Sequence, residues 1–425
     1  MKLSKLNIKK INFNDIDKDY SGQDILMKLG ELYQFESGIY GYGNIWTKLE
    51  RNVEQIIIEE LDKADCIQAQ FPILQPKSIW EKSDRWNQYT TEKDIMFTID
   101  SNLGEYGLAP TGEECASIFG SNRLLSYKQL PTTYYQIGEK FRKEIRARGY
   151  LFRPRTFIML DAYSFDKNEE DMHKTFDKMH DVYMKIFKRA GINIIPVVSD
   201  GGTMGGRVSE EFQAITKLGE DIILYDEKTN IGINREVLDF EDKETFIKKL
   251  GNISLSDMKE YNSVELGNNF ELGTKYSETM KLYYQDENGE NKPFYMGCYG
   301  IGLGRIIATL IENNVIIKDD KIKGFSLPYS VSPYKVHIIY NENNKEEAFN
   351  LYNDLLQNNI ETIIDDRENI SLGSRINDVT LLGTPKLIVL GNKFDGEHFE
   401  IEDTKTNEKT LVEKQEIINY FLNLK

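Results

Sequence analysis

Residues 141–157 read FRKEIRARGYLFRPRTF, and this stretch says more about the architecture than any other part of the chain. From Arg142 to Arg155 it holds five arginines and one lysine against a single acid, Glu144, in a 425-residue chain whose formal net charge is −16. The planar guanidinium group presents paired donors that match phosphate or carboxylate oxygens. The cluster therefore predicts an anion site, although a solvated basic hairpin without a ligand would have the same composition.

The segments on either side of this cluster have the pattern of β-strands. Residues 134–145 and 156–164 are rich in aromatic and β-branched side chains, and a loop containing Gly and Pro joins them. Because side chains two residues apart share one face of a strand, Arg142 and Glu144 are predicted to face the same ligand. One would meet a phosphate, and the other would accept a hydrogen bond from a base amine.

Two further motifs carry candidate binding residues. Residues 297–305, GCYGIGLGR, lead into a predicted helix, so that small residues admit a ligand and Arg305 meets an anion. Residues 109–114, APTGEE, offer the Thr111 hydroxyl and the Glu113 carboxylate to a small cationic group such as an amine. Each motif has a plainer alternative, which is a tight packing turn for the first and a helix cap at Thr111 for the second.

The composition excludes several classes of protein. A charged fraction of 29% and the lack of any apolar run of about 18 residues indicate a globular protein without a membrane span. The three cysteines form no CxxC pair, which argues against a disulfide scaffold or a cysteine zinc site and fits a reducing compartment. None of the four histidines lies beside a candidate nucleophile. We therefore expect a cytoplasmic protein with no protein-bound metal site.

Periodicity and chain breakers predict the organisation. Helical spacing runs over residues 44–64, and a second helix is predicted between an N-cap at Asp166 and a stop at Gly191. Gly and Pro residues interrupt the pattern over 324–333. Beyond that break strands and helices alternate, as in a small α/β domain, at residues 336–340, 345–357, 360–364 and 386–390. We therefore predict one domain over residues 1–326 and a second over 327–425.

In this order the motifs resemble those of the class II aminoacyl-tRNA synthetases. FRKE at 141–144 resembles their motif 2, GIGLGR at 300–305 their motif 3, and Phe71-Pro72 their motif 1, whose proline lies at the dimer interface in that family. The segments PTGEE, LGTKYSE and MGCYGIGLGR are similar to bacterial prolyl-tRNA synthetases, and residues 365–391 resemble the anticodon-binding domain of that family. The spacing between motifs 2 and 3 is too short for the editing insertion that many of those enzymes carry.

The resemblance implies an α+β fold, with an antiparallel sheet flanked by helices followed by a small α/β anticodon-binding domain. It implies a cytoplasmic homodimer that activates an amino acid, expected to be L-proline, with ATP and Mg²⁺ as an aminoacyl-adenylate and transfers it to the 3′ end of tRNA. The implied alternatives are a relative that activates another amino acid or loads another carrier, and a non-catalytic tRNA-binding regulator.

The resemblance also assigns roles to residues of this chain. Arg142 would bridge the α-phosphate and the substrate carboxylate, Glu144 would receive the adenine amine, and Arg305 would hold the γ-phosphate. The implied ATP-binding residues are Arg142, Glu144, Arg153, Phe157 and Arg305, with Arg142 and Arg305 as the catalytic ones. The implied amino-acid-binding residues are Thr111, Glu113, Arg142, Asp161, Ser209 and Asn268, and those for tRNA are Arg148, Arg367 and Arg375.

Three segments depart from the prolyl pattern, and one of them is IGIN at 231–234, which replaces a Tyr-Ala-Ala-Asn stretch of the family. The family usually has Ser-His-Glu-Phe where this chain has SEEF at 209–212, and Gly-His-x-Phe where this chain has GNNF at 267–270. Losing two imidazoles and gaining a carboxylate near the amino-acid pocket would change which side chain fits. The alternative is substitution at positions that do not touch the substrate.

Overall fold

The structure, a computed structural model, describes residues 1–9, 22–145, 151–200 and 209–424. The chain divides into two compact units. The first unit comprises Met1–Phe35, Tyr40–Val53 and Ile307–Lys425, and the second comprises Glu36–Ile39 and Glu54–Ile306. The division at residue 326 stays a prediction. In the part of the chain that the structure describes, every helix is too short or too polar to cross a membrane.

The strands share no common length and range from two residues to fifteen. In chain order they are β1 (Leu32–Glu36), β2 (Ile39–Tyr42), β3 (Ile67–Gln68), β4 (Leu74–Pro76), β5 (Thr98–Ser101), β6 (Gly104–Leu108), β7 (Thr132–Phe141), β8 (Thr156–Asp166), β9 (Ile195–Ser199), β10 (Ser209–Ile215), β11 (Asp221–Asp226), β12 (Ile231–Asn234), β13 (Lys259–Gly273), β14 (Tyr283–Gln285), β15 (Asn291–Pro293), β16 (Tyr295–Gly302), β17 (Val315–Lys318), β18 (Lys321–Phe325), β19 (Val336–Tyr340), β20 (Thr362–Ile364), β21 (Lys386–Leu390), β22 (His398–Asp403) and β23 (Lys409–Glu413).

The α-helices lie between these strands. They are α1 (Gly22–Leu29), α2 (Asn44–Lys63), α3 (Lys77–Lys82), α4 (Glu113–Ser121), α5 (Glu169–Arg189), α6 (Lys243–Ile247), α7 (Lys275–Thr279), α8 (Leu303–Asn313), α9 (Lys345–Gln357), α10 (Leu372–Asp378) and α11 (Ile417–Leu422). The helix predicted over 44–64 is confirmed as α2, and the glycine-rich motif leads into α8 as expected.

The second unit is built on a sheet to which nine strands of the described residues contribute, in the order β10-β9-β12-β11-β13-β16-β8-β7-β3. Its pairs are antiparallel except for β12 with β9 and β3 with β7. Helix α5 packs on β8, β13 and β16. The predicted antiparallel sheet flanked by helices is therefore confirmed.

Helix α5 covers one face of this sheet and leaves the other face to the candidate site. Its apolar stripe, which includes Met172, Phe176 and Met179, is buried as predicted. The helix stops before Gly191, whose φ of 77° suits glycine. The predicted cap was wrong, because Asn168 accepts the cap hydrogen bond, from the backbone N–H of Asp171. Asp166 instead ends β8 and accepts hydrogen bonds from side-chain hydroxyls.

The strand predicted over 134–145 ends earlier than expected, at Phe141. Arg142 still donates its N–H to the Arg155 carbonyl at 3.0 Å, but the N–H of Lys143 turns to the Ile95 carbonyl at 2.7 Å. Lys143 therefore leaves the sheet. Arg142 and Glu144 both follow the end of β7. They lie near each other because of the geometry of the loop and not because of strand alternation.

The first unit contains a five-stranded sheet in the order β20-β19-β21-β22-β23, with parallel pairs at β20–β19 and β19–β21. Buried Val336, Ile338, Ile388 and Leu390 of this sheet pack with Leu351 of α9. This is the α/β alternation that the sequence predicts, with the strands 336–340 and 386–390 and the helix 345–357 found at the predicted residues.

Candidate active site

A cavity of about 140 Å³, partly open to solvent, lies on the sheet face opposite α5. Its lining brings together residues from the basic stretch, from β13 and from the glycine-rich motif. The predicted residues that line it are Arg142, Glu144, Arg153, Phe157, Asn268 and Arg305. Motifs that are far apart in the sequence therefore form one concave site, because β7, β8, β16 and β13 are adjacent strands.

Arg142 presents an available charge to this cavity. Its Nε donates to the Pro110 carbonyl at 3.2 Å, and its guanidinium carbon lies 5.2 Å from the centre of the Phe157 ring. Among the described residues no carboxylate lies within ion-pair distance of it. By contrast, the neighbouring Lys143 is paired with Asp94 at 2.7 Å. Arg142 is therefore held by its backbone contact and its ring contact and is free to bind an anion.

Arg305 is held more tightly than Arg142. Its Nε donates to the Phe152 carbonyl at 3.0 Å, and Nη1 donates to both the backbone oxygen and the carboxylate of Glu265, at 2.7 and 3.1 Å. Asn268 donates to the other oxygen of Glu265 at 2.6 Å. Arg153, 41% exposed, pairs with Glu220 at 2.7 Å. Glu265 thus connects two predicted site residues, although the sequence analysis did not select it.

Thr111 and Glu113 form a contact of their own beside Arg142. The Thr111 hydroxyl lies 2.7 and 2.8 Å from the two carboxylate oxygens of Glu113. The N-cap of α4 is Gly112, without a side-chain cap hydrogen bond, so the cap alternative for Thr111 is wrong. Because Arg142 bonds to Pro110, this turn adjoins the arginine. The two residues predicted to bind an amine therefore lie together next to the residue predicted to bind a carboxylate.

Asp161 anchors that turn. Its carboxylate accepts hydrogen bonds from Gln136 at 2.9 Å and Tyr163 at 2.7 Å and pairs with Lys140 at 2.6 Å. The Tyr163 hydroxyl in turn accepts from the backbone N–H of Gly112 at 2.9 Å. A Cβ on Gly112 would lie 2.9 Å from the Asp161 carboxylate, so this close approach requires glycine. Asp161 therefore acts on the turn that carries Thr111 rather than lining the cavity.

Strand register explains which altered residues reach the site. Glu211 of β10 pairs with Asn268 of β13, which pairs with Gly300 of β16, which pairs with Asp161 of β8. Directly paired residues share a face, and Glu210, the neighbour of Glu211, contacts His180 on α5, so this row lies on the face opposite α5. Ser209 is buried in the next row of the same face and does not line the cavity.

Glu211 is a partly buried carboxyl that was not among the predicted site residues. It accepts hydrogen bonds from Ser199 at 2.6 Å, Gln213 at 2.5 Å and Asn234 at 3.3 Å. Burial, together with the nearby charge of Glu265, raises the pKa of Glu211 to about 7. The described residues contain no group of three or more His, Cys, Asp or Glu side chains arranged to hold a metal ion.

Glu210, which stands where the family usually has histidine, faces away from the cavity. Its carboxylate lies 2.8 Å from Nδ1 of His180 on α5, and this hydrogen bond raises the pKa of His180. The carboxylate that this substitution adds is therefore paired with His180 on the face of the sheet that α5 covers. Of the two altered histidine positions, only Asn268 lines the cavity.

We expect Glu210→Gln to lower the free energy of unfolding by about 0.5–1 kcal/mol at pH 6 and by almost nothing at pH 9. The expected dependence on pH follows from the direction of the shift in the His180 pKa, which is upward. A histidine with a raised pKa contributes its stability below its unfolded pKa of about 6.5 and loses it as pH rises through the folded value. Urea unfolding at both pH values measures this, with His180→Gln as the matched variant. An effect of equal size at both pH values would contradict the assignment.

The predicted tRNA-binding residues are not part of this cavity. Arg148 lies outside the described residues. In the first unit, Arg367 pairs with Asp365 at 2.7 Å and Asp378 at 2.8 Å, and Arg375 donates to backbone carbonyls including that of Tyr340 at 3.2 Å. Both arginines line a separate cavity of about 450 Å³. Their roles in tRNA binding stay a prediction.

Comparison with known proteins agrees with this geometry. A family model described as tRNA synthetase class II core domain (G, H, P, S and T) matches residues 89–314, and one described as anticodon binding domain matches residues 333–424. The first of these covers more than half of the chain and contains all of the cavity. The chain therefore belongs to the class II tRNA synthetase family, whose members use ATP.

Relatives that match nearly the whole chain show which enzymes of this class it is similar to. The chain is 32% identical to a proline--tRNA ligase of Rickettsia bellii over 97% of this chain and 98% of that protein. It is 34% identical to that of Rickettsia akari over 93% and 94%, and 33% identical to that of Sulfurimonas denitrificans over 96% of each. The prolyl-tRNA synthetase of Cryptosporidium parvum, in complex with halofuginone and AMPPNP, shares the fold with a TM-score of 0.74 and 16% identity over 99% of this chain and 77% of that one. The resemblance found from the motifs is confirmed.

Proposed function

We propose that this chain is a proline–tRNA ligase, which joins L-proline to the 3′ end of tRNA in two steps, the first of which consumes ATP. The observation that carries the proposal is the cavity that Arg142 and Arg305 both line. Among the described residues Arg142 has no carboxylate partner, and through Pro110 it adjoins the turn of Thr111 and Glu113, which lies outside the lining. A carboxylate beside one arginine, with a second arginine in the same cavity, suits a zwitterion beside a polyphosphate. The names of the full-length relatives support proline as the amino acid.

In the first step a carboxylate oxygen of the amino acid attacks the α-phosphorus of ATP, and pyrophosphate leaves with the electrons of the broken P–O bond. We assign Arg142 to the α-phosphate and the substrate carboxylate, where it would neutralise the charge of both as they approach. Arg305 would hold the γ-phosphate. Phe157 would stack on adenine, Glu144 would accept from the adenine amine, and Arg153 would add a cation at the rim.

In the second step a ribose hydroxyl of tRNA attacks the carbonyl carbon of the adenylate, and AMP leaves. No protein nucleophile is required, which suits a cavity lined by arginines and glycines. Thr111 and Glu113 would bind the substrate amine in both steps, with Asp161 holding their turn. Asn268 would line the pocket for the side chain, and Ser209 would support it from the next row of the sheet. We propose that Mg²⁺ enters with the phosphates of ATP, because such ions usually reach nucleotide sites through phosphate oxygens and few carboxylates.

We propose further that the enzyme works as a cytoplasmic homodimer. The segment that resembles motif 1 exposes apolar side chains around Pro72 in the second unit, namely Ile67, Ile73 and Leu74. Exposed apolar patches of this kind commonly mark protein interfaces. Sedimentation equilibrium should give twice the chain mass, and Leu74→Glu should give the monomer. A monomeric parent protein would contradict this part of the proposal.

ATP–pyrophosphate exchange with each of the twenty amino acids tests the function. We expect exchange with proline at least about 100-fold above the others, since a pocket that binds one side chain by shape separates it from larger and more polar ones by this order. The alternative of another amino acid rests on Asn268, which lines the cavity where the family usually has histidine. Exchange confined to a different amino acid would establish that alternative.

A second measurement separates a ligase from a non-catalytic regulator. Charging of tRNA with labelled proline should require ATP, and tRNA affinity should fall as salt rises because phosphate contacts release counterions. We assign Arg367 and Arg375 to the neighbourhood of the anticodon and Arg148 to tRNA near the catalytic site. Binding of tRNA without adenylate formation for any amino acid would favour the regulator.

A further inference from the structure

Arg85 is a buried cation that none of the assigned roles uses. It follows α3, its side chain is 2% exposed, and Nη1 lies 3.1 Å from a Glu113 oxygen and 2.9 Å from a Glu114 oxygen. Arginine is almost never buried unless it is paired, and removing one partner of such a pair leaves a costly charge. The ion pair thus connects Arg85 directly to the carboxylate assigned to the substrate amine.

Aromatic rings hold the guanidinium group in place. Its central carbon lies 4.5 Å from the centre of the Tyr89 ring and 5.2 Å from those of Trp80 and Tyr276, and Nη2 donates to the Tyr89 hydroxyl. Cations over ring faces are stabilised by the ring quadrupole, most strongly when water is excluded. The surrounding rings therefore hold the guanidinium group of Arg85 in one position, and the Glu113 carboxylate is oriented by its ion pair with that group.

Glu113 is held by donors from three different elements. One carboxylate oxygen is bonded by Arg85 and Thr111, and the other by Thr111 and by the Cys298 thiol at 3.3 Å. Glu114 accepts from the Ser83 hydroxyl at 2.7 Å and shares Nη1 of Arg85. The carboxylate orientation therefore follows from the position of Arg85 as much as from its own helix.

Charge distinguishes Arg85 from the other groups around Glu113. Burial opposes the ionisation of Glu113, but the Arg85 charge and the Thr111 hydrogen bond together hold the pKa of its carboxyl below the usual value. Burial raises the pKa of Glu114. The other titratable groups near Glu113 are Tyr89, Cys115, Tyr163, Lys275, Tyr276 and Cys298. Burial raises the pKa of the three tyrosines and the two thiols, so they stay neutral near pH 7, and it lowers that of Lys275.

We propose that Arg85 is a positioning residue for amino-acid recognition, which keeps the Glu113 carboxylate ionised and fixed beside Thr111 so that the substrate amine meets a preformed anion. The proposal rests on the proposed function, since it takes the amine of an amino acid as the ligand of Glu113. Arg85 contacts no reacting atom in this scheme and acts through Glu113 alone.

The test compares Arg85→Met, which keeps length without charge, with Arg189→Met as the matched control. Arg189 also bridges two glutamates, Glu59 at 2.6 Å and Glu60 at 2.7 Å, but it lies outside the cavity. In pyrophosphate exchange we expect Arg85→Met to raise KM for the amino acid about 50-fold and KM for ATP less than about threefold. Arg189→Met should change neither.

The pH profile separates positioning from a merely structural role. Without Arg85, burial dominates and Glu113 is protonated at higher pH, so the acid limb of kcat/KM for the amino acid should move upward in Arg85→Met. An unchanged amino-acid KM with an unmoved acid limb would overturn the proposal. If Arg85→Met does not fold, Arg85→Lys decides by the same readouts, because it keeps the charge but loses the fork and should raise KM about tenfold.

Calorimetric titration of amino acid in the absence of ATP keeps this test independent of the proposed reaction. If the parent protein binds proline but forms no adenylate, the proposed function fails and the comparison of Arg85→Met with Arg189→Met still stands. If exchange occurs with another amino acid and not with proline, that amino acid replaces proline as the probe. The test is unchanged, because the proposed contact of Glu113 is with the amine that all amino acids share. Equal affinity in the parent and both variants would overturn the role of Arg85.

Discussion

Arg142→Ala is expected to abolish proline-dependent ATP–pyrophosphate exchange, with a loss of about 10³-fold or more. The guanidinium group lines the cavity without a carboxylate partner among the described residues, and it is held by Pro110 and Phe157. Its charge is therefore available to bring two mutually repelling anions, the substrate carboxylate and the α-phosphate, into contact. Exchange with radiolabelled pyrophosphate at saturating ATP measures the effect.

Lys143→Ala is the matched control for this prediction. It removes the adjacent positive charge, which pairs with Asp94 and does not line the cavity. We expect its exchange rate to lie within about twofold of the parent, as surface ion pairs contribute little. Arg142→Lys should recover only a small part of the activity, because an ammonium group lacks the paired donors. Normal exchange by Arg142→Ala would refute the role assigned to it.

Glu113→Gln is expected to raise KM for the amino acid about 100-fold while KM for ATP changes little. The substitution keeps the shape and the Thr111 contact but removes the negative charge that the amine would meet. A hydrogen bond to a charged group contributes about 3 kcal/mol at most, which corresponds to a factor of about 100. The KM values for both substrates, measured by exchange, show whether the loss falls on the amino acid alone.

Glu60→Gln provides the control for a buried glutamate in an ion pair. Glu60 is 7% exposed and bonds to Arg189 and Lys63 away from the cavity. It should lower the melting temperature without changing either KM. Equal increases in both KM values in Glu113→Gln would indicate general damage to the site and would count against a specific contact with the amine.

Local sequence was enough for much of the secondary structure and for the choice of motifs. The strands at 336–340 and 386–390 and the helices at 44–63 and 345–357 follow from periodicity, because their apolar faces pack as the pattern requires. The arginine cluster selected Arg142 because charge density is visible in one dimension. The class of enzyme followed from ordered motifs, and the comparisons confirmed it.

Long-range packing places Glu265 and Arg85 at the site, and neither residue was predicted from the sequence. Glu265 and Asn268 are three apart, so simple alternation puts them on opposite faces of β13. The register of β10 against β13 shifts between Phe212 and Gln213, and the bulge allows Asn268 to bond Glu265. Arg85 ends a three-residue connection between helical residues that carry Trp80 and Trp86, and these flanking aromatic residues were its one local signal.

The sequence by itself determined the class of enzyme, the order of its motifs and most helix and strand positions, since these depend on short-range spacing and side-chain type. Only the tertiary structure decided that Asn268 faces the cavity while Glu210 pairs with His180, and that Arg85 stands against Glu113. Such outcomes depend on which strands become neighbours and in which register. Register is a property of pairs of distant segments, so no stretch of one segment contains it.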